Sequence, residues 1–271
     1  MTTAAVLMVR DERDVIEYTL RHLLEQVDFV LVADNGSTDG TFELMRDLER
    51  ENMGQLLVTI DDEIAYFQSR KMSALADRVR ELGYDWIVPA DADEIWVCEP
   101  NERTIAEHLL SIPPDVLTVN ARLFHYLPTA LDGRDLNPFA RIGWRLAGAS
   151  SLPKVAVRLR PGLVIEAGNH GATYDWQRPR LVGGGLRVNH YSWRSPEQYA
   201  RKIRNGARAY AATDLPEEVG PHWRMWGDPE APDLEERAAA HFRLHFHAPR
   251  PPYAPGSSDP ASLVYDPAVT E

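Results

Sequence analysis

Apolar runs and helix-period segments alternate along the first ninety residues of this chain. Ala5–Val9 is a short apolar run, the signature of a buried strand. After polar Arg10–Asp14, residues Val15, Ile16, Thr19, Leu20, Leu23, Leu24 and Val27 recur at helical spacing. Phe29–Ala33 is continuously apolar, as a parallel strand covered on both faces requires. A second amphipathic helix carries Phe42, Leu44, Met45 and Leu48, and Gln55–Ile60 reads as a third strand. A third helix carries Met72, Leu75, Ala76, Val79 and Leu82, with Gly83 as its stop. Trp86–Ala90 is a fourth strand. This β-α-β-α-β-α-β order predicts an α/β fold with a mainly parallel, doubly wound, Rossmann-like sheet flanked by helices. Such sheets bind ligands beyond the carboxyl ends of their strands. Acidic residues stand at each of those ends: Asp11 and Glu12, Asp34, Asp61 and Asp62, then Asp91.

The second half is less regular. Leu117–Phe124, Lys154–Leu159 and Leu163–Glu166 read as strands, Glu197–Ala212 as a helix, and 229–247 as helical in part. Gly183-Gly184-Gly185 reads as a glycine-rich loop. From Pro249 to Glu271 the chain is rich in Pro, Ser and Asp, the composition of an extended or disordered tail. With no internal repeat or linker, the expectation is one domain over 1–248. Its nucleotide-binding half is 1–100, and the irregular half, 101–248, faces the acceptor.

The bulk properties narrow the chemistry. A formal net charge of −12 over 271 residues argues against a nucleic-acid partner. A single cysteine, Cys98, rules out an intrachain disulfide or a multi-thiolate metal site. It suits a reducing cytoplasm. No apolar run approaches the roughly 20 residues of a membrane span, and Met1–Ala5 lacks a signal-peptide layout.

Asp91-Ala92-Asp93-Glu94 is the strongest local motif. Two aspartates one residue apart at a strand end can present oxygens to a hard cation, Mn²⁺ or Mg²⁺, that also bridges substrate phosphates. Asp34-Asn35-Gly36-Ser37-Thr38-Asp39-Gly40-Thr41 ends the second strand. Its carboxylate can accept hydrogen bonds from a ribose or a base edge, while Ser37–Gly40 supply turn and helix-cap chemistry.

These motifs resemble a family. Val32–Thr41 is similar to the V-D-[DN]-G-S-T-D-G-T signature of family-2 glycosyltransferases, and Val9-Arg10-Asp11-Glu12 looks like their first-strand ending. Asp85–Glu94 is similar to their D-W-…-D-x-D-E segment. Asn189-His190-Tyr191 with Arg194, Ser195, Tyr199 and Lys202 resembles a stretch of one branch. The resemblance is continuous over about residues 5–95 and patchy to about 212. It implies a GT-A fold, a nucleotide-sugar donor, UDP-sugar favoured, and a divalent metal. By it, Arg10, Glu12, Asp34 and Asp62 (or Asp61) bind the donor nucleoside, and Arg70 lies near the diphosphate. Asp91 lies near ribose and metal, Asp93 ligates the metal, and His190 supplies a third ligand.

The basic cluster Arg194, Arg201, Lys202, Arg204 and Arg208 offers phosphate contacts, Lys202 and Arg194 foremost. An inverting transfer needs a base to take the proton from the hydroxyl of a small-molecule or glycan acceptor. Glu166, His170 and Asp175 are the candidates, and His125 is a further acceptor-site residue. His241 and His245, spaced i, i+4, lack a third zinc ligand. Trp176, Trp193, Trp223 and Trp226 serve packing or sugar stacking. A nucleotidyltransferase is disfavoured because no glycine-rich loop follows the first strand. A dehydrogenase is disfavoured because no G-x-G-x-x-G opens the first helix. A non-catalytic nucleotide- or carbohydrate-binding module is the other alternative.

Overall fold

The computed structural model describes residues 1–100, 102–245 and 262–267. The first half runs β1 (Thr3–Val9), α1 (Ile16–Gln26), β2 (Phe29–Asp34), α2 (Thr41–Glu51), β3 (Leu56–Ile60), α3 (Gln68–Glu81) and β4 (Trp86–Ala90). Then come β5 (Glu94–Cys98), α4 (Ile105–Leu110), β6 (Thr118–His125), α5 (Pro138–Arg141), β7 (Trp144–Leu146), β8 (Lys154–Arg158) and β9 (Leu163–Ile165). The described chain closes with β10 (Ala172–Tyr174), β11 (Leu181–His190), α6 (Pro196–Ala211), α7 (Pro221–Arg224), α8 (Leu234–His245) and β12 (Leu263–Tyr265).

One sheet of eight strands has the order β3-β2-β1-β4-β8-β6-β11-β5. The predicted parallel strands are its first four, with β1 between β2 and β4. β8 then runs antiparallel to β4, which turns the remainder of the sheet into a mixed one. Alternate side chains of β1 enter two cores. Ala5, Leu7 and Val9 pack with Ile16, Leu20 and Leu23 of α1 and Met45 and Leu48 of α2. Ala4 and Val6 pack with Met72, Ala76 and Val79 of α3. Burial on both faces is why these strands read as unbroken apolar runs.

The chain divides into two compact units. Met1–Asp61, Gln68–Phe124 and Ala149–His190 form the first, which holds the sheet. Asp62–Phe67, His125–Gly148 and the chain from Tyr191 form the second. The donor-side and acceptor-side halves expected from sequence thus do not coincide with the compact units, since β6, β8 and β11 join the first. Within the second unit, α6 and α8 bury Tyr199, Ile203, Leu234, Ala238 and Phe242 with Trp226, and Trp193 and Trp223 pack on this core.

The glycine-rich loop expected at 183–185 is instead part of β11. Gly184 and Gly185 take left-handed φ values of 103° and 83° inside the strand. A Cβ on Gly185 would collide with the His108 ring, so close approach to α4 accounts for that glycine. Of the expected tail, Leu263–Tyr265 pair with β7. Residues 249–261 and 268–271 lie outside the described residues. Among the described residues no helix is long and apolar enough to cross a membrane.

Candidate active site

The ends of β1 and β2 are stitched together by their own polar residues. Asp11, at a left-handed φ of 53°, accepts from the Thr38 amide at 2.7 Å, and its own amide donates to Ser37 Oγ at 2.9 Å. The Glu12 amide donates to Thr41 Oγ1 at 3.0 Å. Asp39 Oδ1 accepts from the Thr41 amide at the start of α2. The turn residues Ser37–Thr41 therefore hold the loop shape.

Asp34 is different. One carboxylate oxygen, Oδ2, accepts from the amides of Gly36 and Ser37 at 3.1 and 3.0 Å. The other, Oδ1, is buried without a hydrogen-bond partner. On the adjacent strand end, Nε and Nη1 of Arg10 are likewise buried without one. Leaving such groups unsatisfied costs about 1–3 kcal/mol each. Arg10 Nε lies 3.9 Å from Asp11 Oδ2, an ion pair without a hydrogen bond. Hydrogen-bonding capacity to spare on both strand ends is what a polar ligand would complete.

At the end of β3, Asp61 is the carboxylate drawn inward. Its Oδ2 accepts from Asn35 Nδ2 at 2.9 Å and from Lys71 Nζ at 2.6 Å. Asp62, the expected nucleoside contact, is exposed and belongs to the second unit. Arg70 is exposed on α3, and its neighbour Lys71 is the residue that reaches Asp61.

At the end of β4 the expected metal trio is not assembled. Among the described residues no three His, Cys, Asp or Glu side chains are arranged to hold a metal ion. A buried lysine that the sequence analysis does not single out meets the carboxylates at this strand end. Lys154, only 2% exposed at the start of β8, donates to Asp91 Oδ2 at 2.6 Å. It also lies 2.7 Å from Glu94 Oε1. Asn169 Nδ2 donates to the other Asp91 oxygen at 3.1 Å. Antiparallel pairing of β4 with β8 places Lys154 there. Burial acts to lower the Lys154 pKa, but Asp91 and Glu94 outweigh it and hold the ammonium above the ordinary lysine range. Complete burial pushes the Glu94 carboxyl up, with Lys154 pulling it back. Glu94 Oε2 accepts from Trp96 Nε1 and from the Asp91 amide, both at 3.1 Å.

Asp93 and His190 do come together. β11 pairs with β5 so that His190 lies opposite Glu94. His190 Nε2 is thereby 3.4 Å from Asp93 Oδ1, and Asp93 is 2% exposed. An imidazole nitrogen and a carboxylate oxygen at this separation suit two adjacent positions around one divalent cation.

Of the base candidates, His170 joins this group. Its Nδ1 donates to the Pro153 carbonyl at 2.8 Å, so in the neutral ring Nε2 is the acceptor nitrogen. Burial lowers its pKa, and it feels the charges of Lys154, Asp91 and His190. Gly168, at φ 73°, leaves room for the ring, since a Cβ there would strike it. Glu166 is bound by Arg178 at 2.8 Å. Asp175 sits in the turn after β10, beside Gly162 and at the opposite end of the β9–β10 pair from Glu166. The structure thus separates it from the other two.

Lys202, Arg194 and His125 belong to the second unit. Lys202 lies over the Trp193 ring at 5.9 Å, and buried Arg194 donates to the Tyr191 carbonyl at 3.0 Å. His241 Nδ1 is 3.0 Å from the Tyr199 hydroxyl, which gives that histidine a packing partner in the α6–α8 core.

No protein-family model matches the chain, and no curated protein matches it. Solved structures similar to it include a mannosyltransferase from Pyrobaculum calidifontis, in complex with GDP-Man and Mn²⁺. That likeness has 14% identity over 92% of this chain and 76% of that one, with a TM-score of 0.45. TarS from S. aureus with UDP is 13% identical over 90% and 74%, TM-score 0.42. GalNAc-T7 with UDP, GalNAc and Mn²⁺ is 13% identical over 93% of this chain and 59% of that chain, TM-score 0.43. Likenesses at this level assign no family, and the functional reading rests on the residues themselves.

Proposed function

We propose that the protein is a GT-A glycosyltransferase that moves a sugar from a nucleoside diphosphate donor, a UDP-sugar by preference, to an acceptor hydroxyl with inversion. One observation carries the reading. Neighbouring parallel strands end in a buried carboxylate oxygen, Asp34 Oδ1, and buried guanidinium nitrogens of Arg10, none with a hydrogen-bond partner. The family-2-like motifs around both residues support the same assignment. Asp34 accepts from the base or ribose, Arg10 and Glu12 line the nucleoside pocket, and Asp61 takes the place expected of Asp62. A divalent cation, Mn²⁺ or Mg²⁺, fits Asp93 and His190, whose donor atoms lie 3.4 Å apart. When bound, it supplies neutralisation of the diphosphate leaving group.

His170 is the acceptor base in this reading. Its Nδ1–H is committed to a backbone carbonyl, its Nε2 is the open nitrogen, and its lowered pKa keeps it neutral at physiological pH. The single buried cysteine, Cys98, agrees with a cytoplasmic setting.

The test is UDP release from a panel of UDP-sugars with Mn²⁺ in the presence of a mixed saccharide acceptor pool. The expected result is turnover that Asp34→Ala abolishes and that His170→Ala lowers by about 10²–10⁴. Equal turnover by wild type and both variants would contradict the assignment.

A further inference from the structure

The antiparallel pair of β9 and β10 has two ends. Residues 166–171 connect the strands at one end and include His170. After β10, at the other end, Asp175 and Trp176 form a two-residue hairpin loop. The amide of each flanking residue, Tyr174 and Gln177, donates to the other's carbonyl at 2.9 Å. Asp175 and Trp176 both take left-handed backbone conformations, with φ of 48° and 65°. Asparagine followed by glycine is the preferred pair for such a turn, because side chains are disfavoured at positive φ. Here the position suited to glycine carries an indole. Trp176 is 85% exposed, and it is the only exposed tryptophan among the described residues. The loop is also braced. The Asp175 amide donates to the Gly162 carbonyl at 2.9 Å, and a Cβ on Gly162 would strike the Asp175 carboxylate. A large apolar ring is thus held in a disfavoured conformation, on a fixed base, in open water, where it contributes little to packing.

We infer that Trp176 is the stacking platform of a second saccharide site, remote from the transfer site. Three residue pairs, Leu163–Tyr174, Val164–Thr173 and Ile165–Ala172, separate it from the loop that carries His170, about 10 Å at the rise of a strand. The choice of a saccharide rests on the donor reading above, whereas the presentation of the ring does not. An indole face offers apolar surface and a negative quadrupole to the C–H groups of a sugar ring. The charges around it decide against an anionic membrane. Arg160 precedes the bracing turn, and Arg178 and Arg180 follow the loop, all three exposed. Arg178 is paired with Glu166 at 2.8 Å, Arg180 lies 3.7 Å from Asp115, and Asp175 adds a third carboxylate. Docking on acidic lipid by charge needs an excess of Lys and Arg, and this surface has none. Arginine donors and carboxylate acceptors in equal number suit hydroxyl groups, which both donate and accept. The site holds a unit of a saccharide chain other than the one that reacts.

Trp176→Gly is the decisive variant, because glycine fits the left-handed position and removes only the ring. Binding is read by titrated saturation-transfer NMR with maltohexaose, mannohexaose, cellohexaose and chitohexaose as probes, without nucleotide or metal. The expected result is that a hexasaccharide binds wild-type protein, that Trp176→Gly weakens it at least about tenfold, and that Trp176→Phe keeps most of the affinity. Relief of the left-handed backbone offsets the freedom that glycine adds to the unfolded chain, so the Tm of Trp176→Gly should hold. A fall of more than about 5 °C would give the ring a structural role and sink the inference. No binding of any probe, or binding that Trp176→Gly leaves intact, would overturn it. Sedimentation with phosphatidylserine vesicles that depends on Trp176, without saccharide binding, would replace it with a membrane contact. UDP binding with Mn²⁺, measured on the same wild-type protein, keeps the two readings apart. UDP binding without saccharide binding removes the second site alone, and saccharide binding at Trp176 without UDP binding removes the donor reading alone.

Discussion

Two lysine–carboxylate pairs stand at strand ends of the same sheet, and they are built differently. Lys71 reaches Asp61 from α3, at 2.6 Å, with side chains 10% and 18% exposed. Lys154 reaches Asp91 at the same distance but is sealed from solvent and serves Glu94 as well. The first pair shares Asp61 with Asn35 and shapes the loop beside Asp34. The second joins Asp91 and Glu94 through one buried cation. Equal distances therefore conceal unequal consequences, because burial sets the cost of removing one partner.

That comparison can be broken by substitution. Lys154→Met leaves buried Glu94 and partly exposed Asp91 without their cation, and urea denaturation should show a loss of about 3–5 kcal/mol. A loss under about 1 kcal/mol would mean that water reaches the group. Next in size is the response to acid. Burial lowers the pKa of His22, His108 and His170, all in the unit that carries the sheet. Below the ordinary histidine pKa of about 6.5 the unfolded chain binds protons that the folded chain refuses, so stability must fall as pH drops. Tm should decrease by about several degrees between pH 7 and pH 5, and His170→Asn should reduce that slope. A flat profile would place these rings in contact with water.

Asp39→Ala removes the acceptor for the Thr41 amide at the start of α2, and should cost about 1 kcal/mol in the same denaturation assay. The smallest effect belongs to Lys71→Met. Its partner retains Asn35 and partial solvation, so a loss of about 1 kcal/mol or less is expected. A loss matching that of Lys154→Met would erase the distinction between the two pairs.

The sequence made some of this visible and hid the rest, for physical reasons. The three β-α repeats and the fourth strand are legible because strands buried on both faces are mostly unbroken apolar runs. Asp34, Asp91 and Asp93 stand out because they follow strand ends, where such sheets bind ligands. β5 was missed because its first residue, Glu94, lies inside the acidic motif. β11 was missed because three consecutive glycines read as a loop, whereas two of them relieve a left-handed backbone within the strand. Asp61 was preferred over Asp62 only by contacts from Asn35 and Lys71, which periodicity does not encode. Lys154 opens β8 ahead of the apolar run Val155-Ala156-Val157, and a lysine there reads as surface. Its burial follows from antiparallel pairing with β4, a long-range fact with no local signature. The available hint is a charge opening a strand whose next three positions are apolar.

Under the proposed function, Arg10 and Asp34 bind a nucleoside diphosphate. Isothermal titration calorimetry of UDP into wild-type protein with Mn²⁺ tests it most directly. Saturable binding that disappears in Asp34→Ala, and weakens when Mn²⁺ is chelated, is the predicted result. Absence of binding for UDP and GDP alike, by a protein shown to be folded, would contradict it.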